Sequence, residues 1–360
     1  MKKALILLNM GGPNNLSEVE VFLTNMFNDP FILSIKSGFW RSVLAALIVK
    51  SRAAAARSNY EKLGGRSPIC SITAALCERV NELAQAELSA GLKFEGAADA
   101  GVANEPSQDI SLQSKPSQDV PTQGEALQDK KPIDELICDY AMNYTPPFAE
   151  DVFKKYADFD EIILMPLYPH FSKTTVQSSL CSAEAALKRL GIKNYKIAGI
   201  FYDSAAYNEI LLNLITGCAA KFSADEISQI SLIFSAHSLP VKMIAAGDPY
   251  EAQVEAHVKI LKDLLTARGI KFKEIILAYQ SRLGPVKWLE PNIADVLRDL
   301  RSKKALIFPI AFCVDNSETD FELDIFYRAR ARELGYEYYE VCKCPNSRED
   351  FAKFILAQAL

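Results

Sequence analysis

The sequence predicts an α/β fold built from two doubly wound, mainly parallel halves. Short apolar runs bounded by turn residues alternate along the chain with longer amphipathic segments, a pattern typical of parallel strands connected by helices. The chain has 360 residues, which is enough for two domains. Its apolar fraction of 49% and charged fraction of 24% are those of an ordinary globular protein.

Each apolar run that ends at turn residues predicts a strand. The predicted strands are Lys3–Asn9, Leu136–Met142, Glu161–Pro166, Tyr195–Ile200, Ser231–Ser235, Lys273–Ala278 and Ala305–Ala311. Apolar residues at helical spacing predict helices between and around them. The predicted helices are Leu16–Met26, Ser71–Leu88, Pro147–Lys155, Val176–Arg189, Ser204–Lys221, Tyr250–Ala267, Ile293–Arg301 and Glu318–Leu334.

These elements divide into an N-terminal half, residues 1–172, and a C-terminal half, residues 173–345. We expect the last helix, within residues 346–360, to pack back on the first half. Segment 95–132 differs, because it contains no aromatic residue and repeats glutamine every five residues from Gln108 to Gln128. A period of five fits neither a helix nor a strand, and we predict a disordered surface insertion.

Charge and cysteine content exclude several classes of protein. The chain carries 40 basic and 45 acidic side chains, and a net charge of −5 does not favour binding to nucleic acid. Its eight cysteines contain no CxxC pair, so neither a disulfide framework nor a zinc site is expected, and the cytoplasm is the predicted location. The phosphate-binding patterns GxGxxG and GxxxxGK[ST] are absent, which argues against a nucleotide cofactor.

The segment Ile32–Val49 is apolar on almost every side, and its only charged residues are Lys36 and Arg41. One interpretation is a helix buried in the core. The other is an exposed apolar surface that contacts a membrane interface or an apolar substrate.

The chain has only three histidines, and one of them follows a predicted buried strand. His257 lies in a charged helical stretch and is predicted to be a solvated surface residue. His170 follows a predicted strand, but nothing else in the sequence around it indicates a function. His237 lies two residues after the predicted strand Ser231–Ser235, at its carboxyl end, where open α/β sheets bind their ligands.

A second polar group follows another strand of the same half. Glu318 and Glu322 are four residues apart, so they share one face of a helix. An imidazole and a carboxylate at one sheet edge can bind a divalent metal in transit and accept protons. The structural alternative is a capping box of Ser317 and Asp320, with acidic residues in the first turn of a helix.

Several motifs are specific as an ordered set. LLNMGGP at 7–13, FSAHSLP, GDPY, YQSRLGPVKWLEP and ETDFELDI resemble the motifs of the ferrochelatase family, which inserts ferrous iron into a porphyrin. The resemblance covers most of the chain outside segment 95–132. It implies two Rossmann-like halves with a porphyrin cleft between them, Fe²⁺ and protoporphyrin IX as substrates, and protohaem as product.

The resemblance also implies roles for individual residues. His237 matches the family's metal-binding and proton-accepting histidine, and Glu318 matches the metal-binding carboxylate that faces it. Glu322 matches the next acid of the same helix, with a catalytic role. The porphyrin-binding positions implied by the resemblance are Met10, Arg52, Tyr60, Ser67 and Trp288.

Three positions depart from the family pattern: Asn316 replaces a second histidine, Phe326 replaces a further acid, and Asn143 replaces a basic residue. The CxC pair Cys342 and Cys344 does not reproduce the cluster-binding cysteines of some relatives, so no [2Fe–2S] cluster or other permanent cofactor is expected.

A porphyrin substrate that dissolves in membranes favours peripheral membrane contact through Ile32–Val49. We expect a monomer. The alternative functions are a coproporphyrin ferrochelatase, a cobalt chelatase, and a haem or porphyrin carrier without catalysis.

Overall fold

The computed structural model describes residues 1–90, 132–282 and 284–360, so the predicted insertion lies outside it except for Pro132. The strands are β1 (Lys2–Asn9), β2 (Glu135–Met142), β3 (Glu161–Pro166), β4 (Tyr195–Ile197), β5 (Ser231–His237), β6 (Glu274–Gln280), β7 (Lys304–Phe308) and β8 (Tyr338–Val341).

The α-helices surround these strands. They are α1 (Val19–Asn28), α2 (Gly38–Lys62), α3 (Ile69–Ser89), α4 (Ala149–Phe153), α5 (Ser178–Leu190), α6 (Ala205–Ala219), α7 (Ala224–Ile227), α8 (Val241–Ala245), α9 (Tyr250–Ala267), α10 (Ile293–Asp299), α11 (Arg328–Glu333) and α12 (Glu349–Ala357). Two π-helices precede α5 and α11, at Lys173–Gln177 and Glu318–Tyr327. Short 3-10 turns lie at Leu16–Glu18 and Lys154–Tyr156.

Two four-stranded parallel sheets confirm the predicted α/β fold. Their strand orders are β2-β1-β3-β4 and β6-β5-β7-β8. The central strands are nearly continuous runs of buried apolar residues, and Ala4 to Leu8 of β1 are at most 3% exposed. Such runs are expected where helices cover both faces of a parallel sheet.

Two strands differ from the prediction. β4 was assigned to the second half, but it pairs with β3 in the first sheet. Helix α5 connects β3 to β4 and packs against β1 and β3, and β4 pairs in parallel with β3. The change of sheet along the chain therefore falls between Ile197 and Ser231, not near residue 172. β8 was missed because it has only four residues, in a segment with no alternation.

The terminal helix α12 packs against α3 and α6. The ring of Phe354 lies 5.4 Å from that of Phe201 and 5.7 Å from that of Tyr207. The Lys3 ammonium, at the start of β1, donates a hydrogen bond to the Ala359 carbonyl oxygen at 3.2 Å. The end of the chain therefore contacts elements of the first half.

Helix α2 begins later than the sequence indicates, because the side chain of Ser37 caps it by accepting a hydrogen bond from the Trp40 backbone N–H. Its first three turns leave an apolar face open to solvent. This apolar face of α2 consists of Phe39, Trp40, Val43, Leu44 and Leu47, which are 38–69% exposed. The interpretation as a buried core helix is therefore wrong. None of the described helices has the length and apolarity needed to cross a membrane.

Candidate active site

The structure brings His237 and Glu318 into direct contact. His237 is the last residue of β5, and Glu318 begins the π-helix that follows β7, the strand beside β5. The His237 Nδ1 and Glu318 Oε2 atoms are 2.7 Å apart. The side chains are 38% and 20% exposed, so both are accessible from one side. The other ring nitrogen, Nε2, makes no hydrogen bond within the described residues.

Two residues at the end of β6 hold the carboxylates in place. The Gln280 side-chain amide donates to Glu318 Oε2 at 3.1 Å, and the Ser281 hydroxyl approaches the same oxygen at 3.0 Å. The Ser281 backbone N–H donates to Glu322 Oε1 at 2.9 Å, and its hydroxyl also contacts Glu322 Oε2. Ser281 therefore contacts both carboxylates, and the network joins the ends of three strands.

Within this cluster the pKa values of His237 and Glu322 are raised, whereas the pKa of Glu318 is lowered. Burial lowers the pKa of His237, but the charge and the hydrogen bond of Glu318 raise it more, so the net shift is upward. Burial raises the pKa of Glu318, but His237 and the bonds from Gln280 and Ser281 lower it more. Burial and the Glu318 charge raise the pKa of Glu322. Glu318 is thus the carboxylate held ionised, and Glu322 is the one that takes up a proton more easily.

Asn316 fixes the start of the π-helix. Its side-chain oxygen accepts a hydrogen bond from the Glu318 backbone N–H at 2.7 Å. Ser317 makes no capping hydrogen bond with its side chain, so the predicted capping box is wrong. One of the three residues that depart from the family pattern therefore orients Glu318.

Tyr60 brings the first half of the chain to this cluster. Its hydroxyl, at the end of α2, lies 3.5 Å from the Ser317 hydroxyl, next to Glu318. Tyr60 is 6% exposed, and burial raises its pKa, which keeps the phenol neutral. Met10 packs into the same apolar cluster as Tyr60.

The other porphyrin-binding positions implied by the resemblance are Ser67, Trp288 and Arg52, and each has a different environment. Ser67 is buried beside Gly12, where a Cβ atom would come within 2.6 Å of the Ser67 side chain, so only glycine fits. Trp288 pairs with Pro240, three residues after His237, and its buried Nε1 has no partner among the described residues. Arg52 is exposed and makes no hydrogen bond or ion pair within the described residues. The structure therefore joins Tyr60 to the cluster but leaves Arg52 apart from it.

His257 is not the solvated residue that the sequence indicates. It is completely buried, and its Nδ1 lies 2.9 Å from Nε2 of His170, which is 2% exposed. The error arose because charged neighbours surround His257 in sequence, whereas His257 itself lies on the face of α9 that contains Val254 and Leu261. The spacing of three and four residues along that face was the signal that sequence analysis missed.

Gln280 and Ser281 were not predicted as site residues from the sequence. Both lie in the motif YQSRLGPVKWLEP at the carboxyl end of β6, one strand from His237. The position at a strand end was the available signal. In the described residues no three histidine, cysteine or carboxylate side chains converge on a metal position. His237 and Glu318 could supply only two ligands to a cation, which would leave most of its coordination positions open.

A family model described as ferrochelatase matches residues 2–101 and 117–359. The chain belongs to the ferrochelatase family. It is 45% identical to the ferrochelatase of Campylobacter concisus over 360 residues, covering 100% of this chain and 98% of that protein. It is 49% identical to the ferrochelatase of Campylobacter fetus over 356 residues, covering 99% and 98%. Ferrochelatases insert metal into porphyrin, so the predicted enzyme class is confirmed.

Among solved structures, the chain is similar to a multi-domain protein of Deinococcus radiodurans with structural similarity to chelatases. The TM-score is 0.45 and the identity 11%, and the match covers 99% of this chain. The chain spans 55% of the length of that protein.

Proposed function

We propose that this ferrochelatase-family enzyme inserts Fe²⁺ into protoporphyrin IX, forms protohaem and releases two protons. The observation that supports this most directly is the contact between His237 and Glu318, 2.7 Å apart at the carboxyl ends of the second sheet. A base beside an ionised carboxylate supplies the two functions that metallation needs, proton removal and cation binding.

A free porphyrin presents two obstacles to metallation. Two of its four inner nitrogens carry hydrogens. The lone pairs of the other two lie in the plane of the ring and point toward its centre. A hydrated cation reaches them only when the ring buckles. A rigid cleft that holds the edges of the ring supplies this distortion from remote binding energy, about 1 to 5 kcal/mol.

We assign the proton-accepting role to His237. Its Nδ1 carries the hydrogen bond to Glu318, so Nε2 is the nitrogen left to take a pyrrole proton. The Glu318 charge raises the pKa of the imidazole and thereby strengthens it as a base. Once His237 is protonated, the same charge stabilises the imidazolium.

Glu318 and Glu322 have the complementary role in this proposal. Glu318 binds the arriving Fe²⁺ together with the neutral imidazole of His237, and Nε2 takes up the pyrrole proton only after the iron has left this nitrogen. Glu322, whose pKa is raised, passes protons outward. The hydroxyl of Ser281, which contacts both carboxylates, connects them.

For the porphyrin, we propose contacts with Met10, Arg52, Tyr60, Ser67 and Trp288. Arg52 has no internal partner among the described residues, and a free guanidinium suits a propionate.

The experiment that tests the reaction is anaerobic stopped-flow absorbance with protoporphyrin IX and Fe²⁺. We expect His237→Ala to lose insertion activity by about 10² to 10⁴-fold while it still binds porphyrin. Lys242→Ala, an exposed change on α8 near the end of β5, is the control and should retain full activity. Near-normal turnover of His237→Ala would overturn the assignment. The same assay with coproporphyrin III and with Co²⁺ ranks the substrates.

We also propose that the apolar face of α2 docks on the cytoplasmic surface of a membrane. Trp40 and Leu47 are 63% and 61% exposed, and burying such side chains in the interface is favourable. Co-sedimentation with liposomes should decrease for Trp40→Glu with Leu44→Glu. Ala54→Glu adds a carboxylate to an exposed position further along α2 and serves as the control. Equal sedimentation of the double variant and the wild type would remove this proposal.

Two further properties belong to the proposal. We propose a monomer, since one chain supplies His237, Glu318 and Tyr60 to the cluster. We also propose that no [2Fe–2S] cluster is bound, because the CxC pair Cys342 and Cys344 lacks the required spacing. Light scattering tests whether the protein is a monomer. The visible spectrum of the anaerobically purified protein tests whether a [2Fe–2S] cluster is bound.

A further inference from the structure

Two cysteines that take no part in the proposed reaction lie together at the edge of the second sheet. Cys218 lies near the end of α6, and Cys342 directly follows the edge strand β8. Cys342 is buried, whereas Cys218 is half-buried and packs against the apolar cluster that contains Cys342. Both are free thiols, and a hydrogen bond links them.

Contacts between their neighbours fix α6 beside β8. The Lys221 ammonium pairs with the Glu340 carboxylate and lies 5.4 Å from the centre of the Tyr338 ring. The Phe222 ring lies edge-on to the Tyr338 ring, with the ring centres 4.9 Å apart. The packing of a helix on a strand therefore brings the two thiols together, and their own hydrogen bond adds to it.

Cys218 is the more reactive thiol of the pair. The hydrogen bond from Cys342 and the charge of Lys221 lower the pKa of Cys218, and they outweigh burial and the charge of Glu340. Burial raises the pKa of Cys342. The thiolate is the form that attacks an oxidant, and it forms where a thiol is partly exposed and near a cation. Cys218 is therefore the thiol that reacts first, and Cys342 is the thiol beside it that can complete a disulfide.

Other cysteines lack this combination of properties. Cys77 and Cys138 also interact, but both are buried, and burial raises the pKa of Cys77. Cys181 is exposed, but partial burial and the charge of Glu184 raise its pKa. Accessibility, a lowered pKa and a neighbouring thiol thus coincide at Cys218.

The residues after Cys342 hold the chain that leads to the active site. The Cys344 backbone N–H donates to Asp315 Oδ1 at 3.3 Å, and the Asn346 side-chain amide donates to Asp315 Oδ2 at 2.8 Å. The Asp315 backbone N–H donates in turn to the Asn346 side-chain oxygen at 2.8 Å. Asp315 lies three residues before Glu318. A displacement of the chain at Cys342 is therefore transmitted toward the Glu318 carboxylate.

We propose that hydrogen peroxide converts Cys218 and Cys342 to a reversible disulfide, which lowers the activity of the His237–Glu318 cluster. The Cys218 thiolate attacks one peroxide oxygen, the O–O bond breaks, and a sulfenic acid and hydroxide form. The Cys342 sulfur then attacks the sulfenic sulfur, and its S–O bond breaks with loss of a second hydroxide. The two thiol protons convert these hydroxides to water, so two thiols and one peroxide give one disulfide and two water molecules.

The effect on activity follows from the geometry of the disulfide. A covalent S–S bond is shorter than the contact between two thiols, so α6 and the segment after β8 must move toward each other. Shifts of about 1 Å far from the reacting atoms can lower a rate about 100-fold. This effect rests on the proposed function, whereas formation of the disulfide does not.

Mass spectrometry tests formation of the disulfide in the full-length protein. The reduced protein is treated with a small excess of hydrogen peroxide and digested without reductant. We expect peptides linked through Cys218 and Cys342, which dithiothreitol separates. Cys342→Ala should instead accumulate a sulfenic acid at Cys218 that dimedone traps, and Cys218→Ser should give no adduct at Cys342. Cys181→Ser, which removes an exposed cysteine, is the control and should form the same link. Absence of the linked peptides from the wild type would overturn the proposal.

The anaerobic stopped-flow assay tests the effect on activity after gel filtration has removed the peroxide. Oxidised wild type should insert Fe²⁺ about tenfold or more slowly than the reduced protein, and dithiothreitol should restore the rate. Cys218→Ser should keep its rate after the same treatment. Equal rates of the reduced and the disulfide-linked wild type would overturn the effect on activity. Lack of activity in the reduced wild type would contradict the proposed function instead, and the mass spectra would still decide whether the disulfide forms.

Discussion

The basicity of His237 depends on its contact with Glu318. Burial alone would lower the pKa of the imidazole, and the carboxylate 2.7 Å away reverses that effect. Glu318 stays ionised because His237, Gln280 and Ser281 stabilise its charge. The two residues therefore work as a pair, and changing one of them alters the protonation of the other.

This coupling predicts a shift in the pH dependence of Glu318→Gln. His237 accepts a proton only when it is neutral, so kcat/KM for iron insertion should fall on the acid side of its raised pKa. Without the Glu318 charge, burial dominates, and this acid limb should move to lower pH. We also expect kcat/KM to fall about 10- to 100-fold. Rate measurements from pH 5 to 9 with Glu337→Gln as an exposed control check this; an unmoved acid limb would contradict it.

At the scale of residues, the sequence indicated which residues belong to the site better than it indicated which contacts they make. His237, Glu318 and Glu322 were chosen because they follow strand ends or share a helix face, and the structure brings them together. Ser281 was missed because its role depends on a backbone turn with φ of 65°, which leaves no periodic signal. His257 was misjudged because its partner, His170, lies 87 residues away.

At the scale of elements, a π-helix replaces the first part of the predicted helix Glu318–Leu334. π-Helices are rare and are frequently found at functional sites. Glu318 and Glu322 still lie close enough to share Ser281, so the expectation of a common face holds although the helix type differs. The apolar pattern did not separate the two helix types.

The Ser281 hydroxyl is predicted to position both carboxylates. Ser281→Ala and Ser281→Gly both remove it, and each should lower kcat/KM for iron insertion about tenfold or more. The two variants differ in the backbone, because glycine adopts a φ of 65° without strain and alanine does not. Ser281→Gly should therefore have a higher Tm than Ser281→Ala, but its activity should be no higher than that of Ser281→Ala. Recovery of activity in Ser281→Gly alone would assign the effect to the backbone instead.

Helix α2 shows how far an apolar pattern determines burial. The segment Ile32–Val49 had two interpretations, and composition alone could not choose between them. Of its apolar residues, Val49 is buried, whereas Phe39 and Trp40 are among the most exposed large apolar side chains described. Burial depends on which neighbouring elements pack on a helix, and that information comes from the topology.

At the scale of the whole molecule, a polar contact set joins the residues after β3 to the second half. The Phe171 N–H donates to the Gln253 side chain at 2.7 Å, and the Ser172 hydroxyl donates to Asp248 at 3.0 Å. Beside them lies the buried pair of His170 and His257. The sequence predicted the two halves and their parallel sheets, but not these contacts, which join residues distant along the chain.

The histidine pair predicts that the fold loses stability in mild acid. Burial lowers the pKa of His170, and it lowers that of His257 to about 3, while unfolded histidines titrate near 6.5. The unfolded chain therefore binds more protons below about pH 6.5, so the free energy of unfolding decreases as the pH falls through that value. The loss should approach about 1.4 kcal/mol per pH unit for each histidine.

Nearby side chains do not offset this loss. The rings that pack on the pair belong to Tyr202, Tyr207 and Tyr250, which carry no charge in this pH range. Replacing both histidines by leucine should flatten the dependence of unfolding free energy on pH between 6.5 and 5, as measured by urea denaturation at each pH. His237 remains in the double variant, and its raised pKa gives the opposite trend, which the comparison with wild type subtracts. An equally steep decrease in the double variant would mean that other groups cause the acid sensitivity.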